Sequence, residues 1–594
     1  MRGRIFPFLT IISAGIIAYL CALQSGFLSI DDVGMTQFVS QVDLNLKSLL
    51  FGGASTYYRP LAVISYVANY SLFYLDPFWF HAVNLGLHLA NALLVHELAL
   101  VFFAQRACRE RAALLAALFF LLNPVNTEAV IWVSARPDLL CTLFFILSVL
   151  LLLRHGADMT PRTLALFVMA YLASLAGKES SIALVLIVPL YLVIRFPRVT
   201  LKEGLYLGGG VFAATCVYLL LRAGSSLNFD RGVGSLAKGV MNTGGGGVQK
   251  GAEAVKAAGV IAQNYDYPSF LDAMGAYGFY LRKLVFPFPL SFTILEYNHA
   301  AGLICFALGI AAALLLFRRF PETLLPLLII FAGIVPPLLA YLGRIPWTPF
   351  GERYLYLPMV GFSLLVSLLV TRIPRMPSWV PLGAVLLLAI PTISRAALWS
   401  DGVAFWEDNI KNAPGFAKSY SALGVLAFEE LRYDDAERYM KKAQALGFNE
   451  PVIWTNLGHV YLAKGDYTRY EQVMNKAAAR SQQPNPVYSE MILALMTARG
   501  MDERTRFEKA IKYHLIMLKK DPTYFDAYYY LGRLYYAAGD VPNAQRYIGR
   551  YAQLAPRGEY ASFAAKMLDN LTKGKVRLRP ELQGLKSEAA EQAL

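Results

Sequence analysis

An all-α fold is predicted, a polytopic membrane domain followed by a water-soluble helical-repeat solenoid, and three observations predict it. Of 594 residues, 56% are hydrophobic and the mean hydropathy is +0.43, too apolar for a soluble chain of this length. Apolar runs recur through the first 400 positions, most approaching the roughly 20 residues that a hydrocarbon core demands. Beyond residue 416 they give way to a 34-residue self-similarity, the mark of a stacked repeat. The predicted organisation is therefore a membrane domain over residues 1–400, a repeat domain over 401–573 and a loosely held, polar tail over 574–594.

The apolar runs fall near residues 5–24, 80–103, 112–123, 138–153, 163–177, 180–195, 204–221, 301–317, 323–342, 354–371 and 379–398, giving about eleven spans. The first is read as a retained span, because it is long and no small-x-small site closes it. Basic residues mark alternate loops: Arg2 and Arg4; Arg106, Arg109 and Arg111; Arg154 and Arg162; Arg195, Arg198 and Lys202; Arg318 and Arg319; Arg372 and Arg375. Cytoplasmic loops carry such an excess, so the amino terminus is placed in the cytoplasm and the repeat domain on the outer side. The alternation requires that residues 273–295 do not cross, and they are read as an amphipathic or re-entrant segment on the outer face.

The formal net charge of +14 does not point to nucleic acid. Lys and Arg outnumber Asp and Glu by 28 to 18 before residue 401 and by 27 to 23 after residue 400, so most of the excess serves as orientation signal in the loops. Cys21, Cys108, Cys141, Cys216 and Cys305 show no paired spacing, and no disulfide or zinc framework is implied.

In the repeat domain, Tyr420, Leu423, Gly424, Ala436 and Ala443 recur as Trp454, Leu457, Gly458, Tyr470 and Ala477, and again as Tyr528, Leu531, Gly532, Ala544 and Tyr551. This spacing resembles the tetratricopeptide (TPR) repeat, in which small residues let paired helices approach and large ones fill the gap. An irregular unit over 485–524 brings the count to four. Such a solenoid offers a concave surface for a partner, or else serves as a cap on the fold.

Under this topology the polar motifs of the membrane half gather at the outer face. They are Asp31 and Asp32 in FLSIDD; Arg59 in YYRPL; Glu128, Arg136 and Asp138 in NPVNTEAVIWVSARPD; Lys178 and Glu179 in GKES; and Glu352, Arg353 and Tyr354 in GERYLYLP. Carboxylates and cations from separate loops at one membrane surface suit transfer from an anionic lipid: an acceptor hydroxyl needs a carboxylate to take its proton, and a departing phosphate needs Arg or Lys. The acids Asp31 and Asp32 are the catalytic candidates, and Arg59, Lys178 and Arg353 the donor-phosphate candidates. Glu128, Arg136, Asp138, Glu179, Glu352 and Tyr354 are candidates for substrate contact. Each has a structural alternative: Arg353 snorkelling at the interface, Lys178–Glu179 as a charged turn, and, favoured for Arg136 and Asp138, a pair with each other. His81, His88 and His96 lie seven and eight residues apart, roughly 10 to 12 Å along a helix, too far for neighbours to share one metal, so helix–helix hydrogen bonding is expected. No motif calls for a metal, and none excludes a divalent ion. The Gly-rich stretch between Gly224 and Pro268 suits either a gating loop or passive disorder.

As an ordered set, the early acidic pair, YYRPL, DPFWFHAVN, NPVNTEAVIWVSARPD, GKES, LRKLVFPFPLSF and ERYLYLP resemble the GT-C glycosyltransferases, specifically the transmembrane-and-TPR O-mannosyltransferases and their bacterial relatives. The resemblance covers roughly residues 25–398 and is extended by the repeats. It implies a GT-C-like, inverting transferase that takes a sugar from a polyprenyl-phosphate donor to a protein or glycan acceptor, with Asp31 or Asp32 as base. The chain departs from the related HPxHTEAV pattern in having Asn123 and Asn126 in place of the histidines, a difference that bears on sugar and acceptor. A bacterial inner membrane with the repeats in the periplasm is expected, with an endoplasmic reticulum membrane and lumenal repeats as the alternative. Two rival functions stay open at this point: an oligosaccharyltransferase or ligase using a lipid-pyrophosphate glycan, and a non-catalytic assembly scaffold.

Overall fold

The structure, a computed structural model, describes residues 2–28, 31–42, 58–156, 159–195, 201–224, 269–342, 350–377, 379–481, 483–576, 579 and 582. The expectation for the Gly-rich stretch falls on residues 225–268, outside them. The chain divides into two compact units, Met1–Phe416 and Ala417–Leu594, so the helix Gly402–Asn412 belongs with the membrane unit.

The first unit is helical, its only bridge among the described residues being Ile294 with Phe350. Its helices are α1 (Arg2–Tyr19), α2 (Asp31–Gln41), α3 (Pro60–Phe73), α4 (Pro77–Phe102), α5 (Arg109–Leu121), α6 (Thr127–Ile131), α7 (Arg136–His155), α8 (Pro161–Gly177), α9 (Leu184–Arg195), α10 (Leu201–Gly224), α11 (Phe270–Val285), α12 (His299–Arg319), α13 (Leu324–Leu342), α14 (Tyr356–Val370), α15 (Trp379–Leu387), α16 (Ala389–Ser400) and α17 (Gly402–Asn412). Among the described residues, eight helical segments are long and apolar enough to cross a membrane, the bent pair α5–α6 makes a ninth, and three apolar helical segments are shorter. This is an integral membrane protein. The eleven predicted spans all fall on helices, eight on segments of spanning length, 112–123 on the bent pair, and 163–177 and 180–195 on two of the shorter ones; the third shorter apolar helix, α3, is absent from the predicted set.

Two local features of the chain shape the end of the bundle where the polar motifs lie. Helix α5 stops at Asn123–Pro124, where proline lacks an N–H and Asn123 Oδ1 accepts the Val125 N–H at 3.1 Å. The chain then bends by 46° into α6 and a further short turn, Val133–Ala135, before α7 starts at Arg136. Residues 124–135 are thus folded back as a buried loop rather than displayed to solvent. The second feature is α11, amphipathic as expected for 273–295, which begins with a capping box between Ser269 and Asp272. It packs closely on α12 because Gly275, Gly278 and Gly302 leave no side chain at the crossing; a Cβ on Gly278 would collide with the Gly302 carbonyl.

Among its described residues the second unit contains four helix pairs and a last helix. They are α18 (Ala417–Glu429) with α19 (Tyr433–Ala445), α20 (Pro451–Ala463) with α21 (Tyr467–Arg480), α22 (Pro484–Met496) with α23 (Glu503–Lys520), α24 (Phe525–Ala538) with α25 (Val541–Leu554), and α26 (Ala561–Thr572). Gly424, Gly458 and Gly532 occupy equivalent places, where a Cβ would lie 2.7, 2.6 and 2.5 Å from Met440, Met474 and Ile548 of the paired helix. The irregular unit is α22–α23, whose second helix runs to 18 residues.

Candidate active site

The two adjacent acids open α2 and have different surroundings. Asp31 is exposed, whereas Asp32 is 1% exposed and turned into the bundle. Its Oδ2 accepts the Leu28 N–H at 2.9 Å, and its Oδ1 accepts the Ser134 N–H at 3.0 Å together with the Ser134 hydroxyl. Burial, opposed by these bonds, pushes the Asp32 carboxyl up to about 6. Asp32 therefore ties the start of α2 to the folded-back loop and leaves Asp31 at the surface beside it.

That loop and the first turn of α7 supply the carboxylates that hold two of the predicted cations. Glu128 accepts the Arg353 guanidinium through Oε1 and the Arg353 backbone N–H through Oε2 at 3.0 Å. The same guanidinium lies 4.8 Å from the Trp132 ring and 4.7 Å from that of Tyr354. Asp138, in the first turn of α7, receives Lys178 Nζ at 2.6 and 2.7 Å. Lys178 sits over the Tyr354 ring at 5.0 Å. Arg59 makes a bidentate pair with Glu179, at 2.6 and 3.1 Å, which is the more solvent-accessible of the three.

The three cations form one electrostatic group. Burial, with Arg59 and Arg353 as positive neighbours, holds the Lys178 ammonium below its ordinary range against the opposing pull of Asp138. Tyr66 on α3 links this group to the acids: its hydroxyl donates to the Val133 carbonyl at 2.8 Å, next to Ser134, and it lies within electrostatic range of Asp32, Arg59 and Asp138. Acids and cations from five separate stretches thus converge at one end of the membrane unit.

Two expectations need correction. Arg136 and Asp138 do not pair with each other; two positions apart on a helix, they point to different sides. Arg136 is fully buried, donating to Asn84 Oδ1 at 2.7 Å, Asn69 Oδ1 at 3.0 Å and the Phe80 and Ser65 carbonyls, with the Tyr66 ring 4.5 Å away, so it staples α3 and α4 to the loop. Lys178 and Glu179, read as one charge pair, diverge to Asp138 and Arg59. Glu352 faces away from Arg353 and pairs with Lys283 at 2.8 Å, both buried. Tyr354 stays with the cations through its hydroxyl, which accepts from Arg353 at 3.2 Å. Asn123 and Asn126 engage the local backbone, Asn126 donating to the Phe120 carbonyl at 2.7 Å. His88 bridges helices as expected, within 2.8 Å of the Tyr356 hydroxyl and 3.1 Å of the Leu121 carbonyl. Among the described residues no group of three or more His, Cys, Asp or Glu side chains could hold a metal, and all five cysteines are free thiols.

Residues unmarked in the sequence reading are Ser134, Trp132, Tyr66 and Lys283. Of these, Lys283 carried a usable signal, a cation inside the apolar face of α11 just before a proline-rich turn.

The tetratricopeptide repeat family matches residues 421–484 and 496–559. Among curated proteins, the chain is 42% identical over 103 residues to the human protein O-mannosyl-transferase TMTC4, a segment covering 16% of this chain and 14% of that protein. Mouse TMTC1 is 40% identical over 94 residues, 16% and 10% of the two chains, and human TMTC2 is 29% identical over 187 residues, 30% and 22%. The aligned segments span less than a quarter of each of these relatives. The chain is thus homologous over part of its length to the protein O-mannosyl-transferases TMTC1, TMTC2 and TMTC4, and carries tetratricopeptide repeats in its second unit.

Proposed function

We propose that this protein is a membrane glycosyltransferase that moves one sugar, mannose by analogy with its relatives, from a polyprenyl-phosphate donor to a protein acceptor. The observation that carries the reading is the folded-back loop 124–135: with the first turn of α7 it holds Asp32 through Ser134, Arg353 through Glu128 and Lys178 through Asp138. The loop thus fixes Asp32, the neighbour of the proposed base Asp31, together with two phosphate-binding groups, and a base and a phosphate-binding group are the two things such a transfer needs.

In this mechanism the acceptor hydroxyl oxygen attacks the anomeric carbon from the face opposite the phosphate, with inversion. Its proton passes to the Asp31 carboxylate as the bond from anomeric carbon to phosphate oxygen breaks. The leaving polyprenyl phosphate departs with the electron pair, stabilised by Arg59 and Lys178, while Arg353 binds the donor phosphate equally before and during departure. Arg59 makes the first contact, being the most exposed of the three at 19%, against 6% and 9% for the others. Asp32, already accepting three hydrogen bonds, orients its neighbour. The repeats select the acceptor, and the whole site with the repeats faces the periplasm or an organelle lumen, as the alternating basic loops support. Glycoproteins from that compartment, compared by mass spectrometry with and without this chain, are expected to differ by single hexose units; block additions of several sugars, or no change, contradict the proposal.

A further inference from the structure

Arg353 owes its position to its neighbours in sequence, and those are held from the opposite side. The segment Gly351–Leu355 enters a tight 3-10 turn, so the side chains of Glu352 and Arg353 leave the backbone in different directions. Arg353 goes to Glu128 and the Trp132 ring. Glu352, 1% exposed, goes to α11 and the turn after it: Oε1 accepts Lys283 Nζ at 2.8 Å and the Ser291 N–H at 2.9 Å. Lys283 Nζ also donates to the Pro287 carbonyl at 2.9 Å and to the Pro289 carbonyl. One helical turn earlier on the same face of α11, the Tyr280 hydroxyl accepts the Gly351 N–H at 3.4 Å. Gly351 has to be small: a Cβ there would sit 2.8 Å from Arg353 Nη1 and 3.4 Å from Glu128 Oε1, inside the ion pair. The anchor is stiff, because α11 is locked to α12 through Gly275, Gly278 and Gly302.

A buried ion pair is costly to assemble and stabilises little against an apolar substitute, so its presence here is better read as geometric than as stabilising. We infer that Lys283 and Glu352 form a buried clamp that fixes Gly351–Arg353 on α11 and so sets the Arg353 guanidinium at the phosphate position of the donor site. They are positioning residues, touching no substrate themselves, and this role rests on the donor reading given above. The clamp exerts its effect on recognition of the lipid phosphate ahead of the proton transfer at Asp31. Releasing it raises the KM for the donor more than it lowers kcat.

Two measurements on the full-length protein in detergent test this. For transfer from a polyprenyl-phosphate sugar, Lys283→Met and Glu352→Ala are expected to raise donor KM at least tenfold with kcat within threefold. Glu352→Gln, which keeps the Oε1 acceptor for Lys283 and Ser291, is expected to recover most of that loss. Parental KM in folded Glu352→Ala, or a Gln variant as impaired as the Ala variant, overturns the clamp. The second measurement needs no activity: thermal unfolding of Lys283→Met, Arg353→Gln and the double variant. The clamp predicts that the double variant loses distinctly less Tm than the two single losses added together, because a released turn has already given up the Arg353–Glu128 pair. Additive losses overturn it whatever the protein binds, whereas a non-additive cycle in a protein that does not use polyprenyl phosphate leaves the clamp standing and overturns the donor assignment.

Discussion

The most deeply buried ion pairs lie in the membrane unit, and the repeat unit adds exposed pairs within single helices. In the membrane unit, Glu128–Arg353, Asp138–Lys178 and Glu352–Lys283 have side chains at most 10% exposed, and each joins stretches far apart in the chain. In the repeat unit, pairs such as Arg504–Glu508 and Lys573–Asp569 lie four residues apart on one helix, with both partners around half exposed. A charge buried at the membrane end is costly unless paired, so its presence signals chemistry or geometry that the protein requires. An exposed helical pair contributes little and serves mainly to keep the solenoid soluble. Under the proposed function, bond making falls to the first unit and recognition to the second.

The strongest way to break that division is at the acids. Asp31→Asn, nearly isosteric but unable to take a proton, is expected to lower turnover by about 10² to 10⁴ while the fold persists, as measured by initial rates on purified protein. Next in size, Arg353→Gln strands the Glu128 carboxylate in a buried site and is expected to cost about 3–5 kcal/mol of stability as well as donor affinity, with Lys partly restoring both; a Gln variant with parental Tm and donor KM would remove Arg353 from the site. A pH profile sharpens the role of Asp32. Its folded-state carboxyl is raised to about 6 by burial, so below that pH it gains a proton and one oxygen becomes a hydrogen-bond donor, which rearranges its contacts with Leu28 and Ser134 beside Asp31. Activity is therefore expected above about pH 6 and to fall as pH drops through it. Because the folded state holds this proton more tightly than the unfolded chain, stability should decline as pH rises from about 4 to 6. Both inflections should vanish in Asp32→Asn.

Smaller effects belong to the repeats. Gly532→Val forces a side chain against Ile548 and is expected to cost about 1–3 kcal/mol in the second unit, read by local proteolysis, with donor binding unchanged. Loss of donor binding there would contradict the division of labour. Arg504→Gln, at a surface pair, should leave Tm unchanged within error.

The repeats were legible because their packing is periodic: Gly424, Gly458 and Gly532 each meet a partner sixteen positions on, and the same offset recurs in the sequence. The polar site was legible as a set of residues, since charges stand out in an apolar chain, and Asp31, Asp32, Arg59, Lys178 and Arg353 are brought to one end of the unit. Their partners were not, because pairing there is non-local. Asp32 and Ser134 lie 102 residues apart, Glu128 and Arg353 lie 225 apart, and Lys283 and Glu352 lie 69 apart. Proximity in sequence misled at Arg136 and Asp138, where helix geometry sends neighbours to opposite sides and the nearest carboxylate goes to Lys178 instead. Helix α3 is absent from the predicted spans, yet it borders the site through Tyr66.

The measurement that bears most directly on the account is a side-by-side rate of sugar transfer from a polyprenyl-phosphate donor by the parental protein, Asp31→Asn and Asp32→Asn, each checked for folding. An Asn at 32 keeps one acceptor oxygen but turns an amide donor toward a donor group, so it should weaken the start of α2 and slow transfer moderately. Asp31→Asn is expected to be folded and slower by about 10² or more, with Asp32→Asn less stable and less impaired in turnover. Two folded variants that both transfer sugar at the parental rate would contradict it.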